Sequence, residues 1–476
     1  MTVTFLDDLR SALGPGALLT DPADCARYLT DWTGAYTGTA QAVVRPASTE
    51  AVAETLRLCA AAGVAITPQG GNTGLAGGGV PLGDRPQILL SLDRMKRIRQ
   101  IDPAARTATV EAGCVLQQLQ EAVAAEGLVF PLMFGARGSC TIGGNLSTNA
   151  GGSNVLRYGN TRALCLGIEA VMADGSVVSD LSGLRKDNTG YDLRDLMIGA
   201  EGTLGIITAA CLRLYPVPLV RTTAFLALRD VASALTVLNR LQDASGGLVE
   251  AFEYMPAPMM RLITGYHGKR APMTQAPETG ILLELASTRA DDAAPDADGT
   301  PKLQALVIEA LDGLMEDALV EDAVVATSEA QRDALWELRE GAAEAVFALK
   351  EAYMFDISLP LAAVPGFVAE TDAGSRALGF EVYTVAHLGD GNLHCTLATG
   401  EEQDWAKLPV ETQVASILDR VAALGGSFSA EHGIGQSKLS YMHRYRAAPR
   451  LAAMRAIRQA LDPAGLMNPG KTIPDL

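Results

Sequence analysis

Six of the fourteen residues from Pro68 to Pro81 (PQGGNTGLAGGGVP) are glycine, and a segment of this kind restricts what the chain can build around it. Glycine takes positive φ without a Cβ penalty and lets backbone approach a ligand closely. Successive peptide N–H groups in such turns form concavities suited to a diphosphate. The flanking prolines, with Asn72, Thr73 and Val80, set the segment apart from a flexible loop rich in serine and charge. It is neither the GxGxxG dinucleotide fingerprint nor a P-loop, because no lysine follows the glycines. Read alone, it leaves a phosphate cradle and a surface loop both open. Two more glycine-rich blocks follow: GARGSCTIGGNLSTNAGGSNVLRYG from Gly135 to Gly159, and KDNTGYDLRDLMIGAEGTLGIIT from Lys186 to Thr208. The third ends in an apolar strand after Gly202 and Gly205, as a buried strand approached by a flat ring needs.

The chain changes texture twice, which predicts three regions, 1–218, 219–425 and 426–476. In the first, Ile88–Leu92 and Thr107–Ala112 read as strands and Thr49–Ala62 as a helix. In the second, Ala305–Leu314 and Ser328–Lys350 read as helices, Gly280–Leu285 and Glu381–Ala386 as strands, and Asp291–Thr300 as an exposed loop. In the third, Ala448–Leu461 reads as a helix stopped by Asp462-Pro463-Ala464-Gly465, after which MNPGKTIPDL reads as extended. The predicted class is α+β.

A length of 476 residues fits two or three domains, and 48% hydrophobic against 20% charged residues fits a compact enzyme. The net charge of −17 repels phosphate backbones and acidic membranes, so nucleic-acid binding is not expected. No basic patch followed by an apolar run marks a signal peptide at Met1–Arg10, and no stretch has the roughly 18 apolar residues of a spanning helix. The seven scattered cysteines (Cys25, Cys59, Cys114, Cys140, Cys165, Cys211, Cys395) form no CxxC pair. They read as reduced core residues of a cytoplasmic, bacterial-type protein, one that could still sit at the membrane periphery.

Two of the five histidines lie in YTVAHLGDGNLHCTLA. Asp390-Gly391 is a favoured two-residue hairpin turn. Counting outward from it predicts that Leu388 faces Leu393 and that His387 faces His394, with Cβ atoms about 5 Å apart. SAEHGIGQSKL supplies Glu431 and His432 in a glycine-containing turn. Two histidines and a carboxylate are the ligand set of an open catalytic zinc site, although paired histidines also occur simply hydrogen-bonded in sheets. His267 in GYHGK and His443 in YMHRYR read as surface residues.

Together these motifs resemble the vanillyl-alcohol oxidase superfamily of FAD enzymes, closest to its D-lactate, glycolate and D-2-hydroxyglutarate dehydrogenase branch, over nearly the whole chain. The resemblance implies a two-subdomain FAD-binding domain over 1–218 and an α+β substrate cap on an antiparallel sheet over 219–425. It also implies a C-terminal helical segment, 426–476, that carries EHG and returns to the flavin. By match, Pro68, Gly70, Gly71, Asn72, Thr73, Gly74 and Leu75 belong to the FAD diphosphate loop. Pro131, Gly138, Ser139, Gly143, Gly144, Asn145, Ser147, Thr148 and Gly152 belong to the second set of flavin contacts. Glu201, Gly202, Ile206 and Asn468 complete the set. Relatives that bind FAD covalently often carry histidine where Asn72 stands, so the FAD is expected to be non-covalent.

The same resemblance makes His387, His394 and Glu431 ligands of a divalent metal, zinc foremost. It makes His432 the catalytic base and Arg339 the grip on the substrate carboxylate. Neutral imidazole, with an intrinsic pKa near ~6.5, can accept an α-hydroxyl proton at working pH. A guanidinium suits bidentate carboxylate binding, whereas an ion pair to Glu340 or Glu344 is the plainer reading of Arg339. The D-2-hydroxyglutarate dehydrogenases carry threonine, lysine and asparagine where this chain has Ala343, Met354 and Thr396. These departures imply monocarboxylic D-2-hydroxy acids with small or apolar side chains, such as D-lactate, as substrates. D-2-hydroxyglutarate or D-malate is the alternative, with Lys350 as a substitute charge. A non-catalytic flavin subunit of a glycolate oxidase complex, or an ether-lipid synthase without net redox chemistry, would not need the histidine pair and EHG. No haem or iron–sulfur motif is present, so an external acceptor is expected: electron-transfer flavoprotein, a quinone or a cytochrome. A homodimer is the default by symmetry.

Overall fold

Ser48 accepts a hydrogen bond from the Ala51 N–H, and Gly63 closes the far end in a left-handed turn, so helix Thr49–Ala62 is bounded as its sequence predicts. In the computed structural model, which describes residues 2–400 and 403–474, this helix buries Val52, Leu56 and Cys59. They pack in one cluster with Ile66, Ile88 and Leu90 of a four-stranded sheet. Its order is Leu18–Leu19, Val43–Val44, Gln87–Ser91, Ala65–Gln69. The last strand runs parallel to its neighbour, and the first glycine block lies in the crossover between them.

A second, antiparallel sheet has the order Ile98–Asp102, Thr107–Glu111, Ile206–Arg213, Cys165–Val171, Val177–Ser179. Strand Ile206–Arg213 is buried along all but its last residue, as expected of an apolar run without alternation. The glycine blocks converge between the two sheets. The Gly199 N–H donates to the Leu146 carbonyl, and the Glu201 N–H to that of Ser147. A Cβ on Gly71 would lie 2.2 Å from the Ser139 carbonyl oxygen, so only glycine permits this approach of the first block to the second.

The second half is a seven-stranded antiparallel sheet. Its order is Val320–Val325, Val220–Leu228, Gly280–Ser287, Val249–Tyr254, Phe380–His387, Asn392–Thr399, Ala352–Ser358. Alternation sends Leu226 and Leu283 to the face covered by Ala234–Ser245, Lys302–Glu316 and Val364–Ala377. Phe225 and Leu282 meet Ala257–His267 and Glu329–Phe347 on the other. The polar insertion begins with a short helix, Ala290–Ala293, and continues as turns.

Helix Ala448–Leu461 has its predicted bounds, but the tail beyond it is not extended. Met467 pairs with Ile66, and then Asn468, Gly470 and Thr472 all take positive φ. These left-handed residues coil the chain, and Arg458 donates to the carbonyls of Met467 and Ile473 from inside the coil. Of that tail, residues 475 and 476 lie outside the described residues. No helix among the described residues is long and apolar enough to cross a membrane.

Candidate active site

Strands Phe380–His387 and Asn392–Thr399 form the predicted hairpin with a different register. His387 stands opposite Asn392, and His394 opposite Val385. The loop is four residues, because the Leu388 N–H donates to the Phe252 carbonyl of the adjoining strand and the Leu388 side chain is buried. Asp390 Oδ1 instead accepts from the Asn392 N–H. The slip is even, so both histidines keep one face of the sheet. Their rings lie 5.6 Å apart, edge to face.

Glu431 completes the group. Its Oε1 accepts from the Gly152 N–H at 2.7 Å. Its Oε2 lies 4.0 Å from His387 Nε2 and 3.8 Å from His394 Nε2. Ligand bonds of about 2.0–2.1 Å to one ion place their donor atoms roughly 3–4 Å apart, so these three atoms fit a divalent metal. Asp356, His394 and His432 form a second close triad. Asp356 is unsuited to a cation, because its Oδ2 already receives the N–H groups of Ala430, Glu431 and His432 and the Lys438 ammonium. Its Oδ1 receives Asn392 Nδ2.

His387 Nδ1 lies 2.9 Å from Glu253 Oε1, which leaves Nε2 for an ion. Arg339 Nε donates to Glu253 Oε2 at 2.7 Å, so Arg339 pairs with this buried carboxylate and not with Glu340 or Glu344. Burial pushes the Glu253 pKa up, but the charges of His387 and Arg339 more than reverse it. Burial likewise pulls His387 down, and Glu253 outweighs it and raises the imidazole above its ordinary value. Burial holds His394 well below the ordinary imidazole value, despite the pull of Asp356, and so keeps its lone pair free. Asp356 stays well below the carboxylate range, because His432 and Lys438 overcome its burial. His432 stacks on His394, and its Nδ1 is 3.6 Å from Asp356 Oδ2, which leaves Nε2 for the cavity.

A cavity of about 650 Å³ is lined by Arg339, His387, His394, Glu431 and His432, and by Leu75 and Gly152 from the glycine blocks. Ala343, Met354 and Thr396 share its wall. The other flavin candidates do not line this cavity; all but Pro131 and Asn468 stand in the converging blocks. Gly202 packs on Pro68, which a Cβ would meet at 2.3 Å, and Pro131 is buried. Asn468 Oδ1 is buried without a hydrogen-bond partner among the described residues, as a polar atom waiting for a ligand would be. The blocks therefore fit a polar cofactor. Glu201 ties them to the EHG loop by accepting the Ile434 and Gly435 N–H groups, and burial raises its pKa.

Sequence reasoning did not single out Glu253, Asp356 or Lys438. A carboxylate inside an otherwise apolar strand, one in YMFDIS and two in VEAFEY, is the signal that could have found the two acids. His267 is half-buried with Nε2 3.1 Å from the Gly341 carbonyl, so it packs against the Arg339 helix and is not a surface residue. His443 is exposed.

Fold and glycine blocks together define a flavoprotein of the FAD-linked oxidase kind. Residues 40–180 match the FAD binding domain family, and 217–472 match the family of FAD linked oxidases, C-terminal domain, to which the chain belongs. It is 37% identical to D-2-hydroxyglutarate dehydrogenase, mitochondrial, of Danio rerio over 98% of this chain and 84% of that one. It is 38% identical to D-2-hydroxyglutarate dehydrogenase of Xanthomonas citri pv. viticola over 99% of this chain and 97% of that one. The fold matches a solved p-cresol methylhydroxylase with a TM-score of 0.76 at 15% identity, over 100% of this chain and 98% of that one. The chain is thus an FAD-linked dehydrogenase of D-2-hydroxy acids.

Proposed function

We propose that the cavity oxidises a D-2-hydroxy acid to the 2-oxo acid with a divalent metal, zinc foremost, on His387, His394 and Glu431. The observation that carries this reading is the meeting of those three donors with His432 and Arg339 on one cavity wall. When bound, FAD supplies the acceptor for the hydride, and the metal supplies Lewis acidity at the hydroxyl oxygen. Arg339, oriented through Nε by Glu253 and with Nη2 3.5 Å from His387 Nδ1, keeps Nη1 for the substrate carboxylate. His432 takes the hydroxyl proton at Nε2 while Asp356 faces Nδ1. Glu253 and Asp356 hold these groups without touching substrate. With no haem or iron–sulfur cysteine motif in the sequence, the electrons pass on this reading to an external acceptor.

The relatives favour D-2-hydroxyglutarate as the acid. Arg137 supports that choice, because this exposed residue is on the cavity wall and makes no ion pair among the described residues. Arg332, on the same wall, is committed to Glu284. A second reading, monocarboxylic acids such as D-lactate, rests on Met354 and Ala343, which place apolar surface on the wall. The test is anaerobic addition of each D-acid, with its L-isomer as control, while flavin absorbance near ~450 nm is followed. Bleaching by D-acids that stops after chelation and returns with zinc supports the proposal. Full bleaching in metal-free protein refutes the metal.

A further inference from the structure

Two polar side-chain atoms in one five-residue turn lack a hydrogen-bond partner among the described residues: Asn468 Oδ1 and Lys471 Nζ. Lys471 is completely buried. A buried ammonium with no acceptor is among the least favourable arrangements a fold can hold. The nearby charges do not relieve it. Asp84 is exposed, and the Glu201 carboxylate already accepts the Ile434 and Gly435 N–H groups. Burial lowers the Lys471 pKa to about 8, against the pull of both acids.

The turn is fixed where the glycine blocks meet. The Asn468 N–H donates to the Ile66 carbonyl, on the strand that enters the first block. Asn468 Nδ2 donates to the carbonyls of Gly78 and Glu201, in the first and third blocks. The Thr472 N–H donates to Gly435 of the EHG loop. Backbone bonds thus fix the turn at Asn468 and Thr472, while the Lys471 ammonium is left without an acceptor among the described residues.

We infer that Lys471 supplies a positive charge to an anionic group of bound FAD, with Asn468 Oδ1 as a polar contact beside it. This rests on the flavin reading of the blocks. Either the diphosphate or the pyrimidine edge of the reduced ring would supply the negative charge. A methionine at 471 keeps the length of the side chain and removes its charge.

The experiment compares the unaltered chain with Lys471→Met, Lys471→Gln and Lys471→Arg. FAD and riboflavin dissociation constants are measured on apoprotein, and the two-electron midpoint potential on holoprotein. A neutral variant is expected to weaken FAD by about tenfold or more with riboflavin unchanged if the diphosphate is the partner. If the reduced ring is the partner, the midpoint potential falls instead, and Lys471→Arg restores most of either change. Lys471→Gln decides where the methionine variant does not fold. FAD affinity and potential both unchanged in a folded neutral variant overturn the inference. The affinity of the unaltered chain tests the flavin reading separately.

Discussion

The backbone N–H of Gly152 holds one oxygen of Glu431 at 2.7 Å, while the other oxygen faces His387 and His394. A flavin-side glycine thus aims a proposed metal ligand across the boundary between the halves. Gly152 has φ +123°, and a Cβ there would lie 2.1 Å from the Met133 carbonyl oxygen. Gly152→Ala is therefore expected to turn Glu431 away and lower metal affinity by about 10–100-fold, the usual size for loss of an orienting contact. Metal content is read by elemental analysis and FAD content by absorbance. Loss of both together would mean global damage in place of a misdirected ligand.

Glu253 joins the proposed metal ligands to the proposed carboxylate grip, because His387 and Arg339 share it. Glutamine would keep the shape but remove the charge between two positive partners. Glu253→Gln is expected to raise KM for the acid and to weaken metal binding by about tenfold or more. A variant with both quantities unchanged would show that Glu253 only fills its strand.

What the sequence made legible follows from range. Helices Thr49–Ala62 and Ala448–Leu461 are encoded locally, through Ser48 and Gly63 for the first and Asp462-Pro463 for the second. The histidine pair was legible from spacing, but its register was not. The turn preference of Asp390-Gly391 lost to the burial of Leu388 and its bond to Phe252, a strand more than 130 residues away. Glu253 reaches His387 across 134 residues and Asp356 reaches His432 across 76, so no local pattern exposes either role. The coiled tail hid for a related reason: Asn468 is held at positive φ by bonds to Ile66, Gly78 and Glu201.

Asn72 Nδ2 donates to the Thr30 carbonyl, and an amide is no nucleophile toward a flavin methyl carbon. Acid precipitation is expected to release yellow FAD into the supernatant. A washed pellet that keeps flavin fluorescence would show a covalent bond from another residue.

Lys471 also makes a stability prediction. Its pKa is lowered to about 8 in the fold, against about 10.4 for an unfolded lysine. Between these values the unfolded chain binds more protons, so apoprotein stability gains as pH rises through that window. The burial penalty is full below about pH 8 and gone above about pH 10. Lys471→Met apoprotein should melt higher than the unaltered apoprotein at pH 7, with the gap closing by pH 10. Thermal melts that stay parallel from pH 7 to 10 would place the charge elsewhere.

The acid itself is decided at the far end of the cavity. Met354 is 45% exposed and, with Ala343, presents apolar surface to the cavity, while Arg137 offers an unpaired charge. A distal carboxylate beside methionine alone would meet no charged partner there. Arg137→Met is therefore expected to lower kcat/KM for D-2-hydroxyglutarate by about tenfold or more and to leave D-lactate nearly unchanged. Met354→Lys should act in the opposite sense, raising D-2-hydroxyglutarate relative to D-lactate, because a second cation enters the same wall. The measurement is kcat/KM for both acids in the unaltered chain and the two variants. If Arg137→Met reduces both acids equally, Arg137 does not read the side chain of the acid. If the unaltered chain already prefers D-lactate by tenfold, the apolar wall governs, and Met354→Lys is then the variant that should reverse the order.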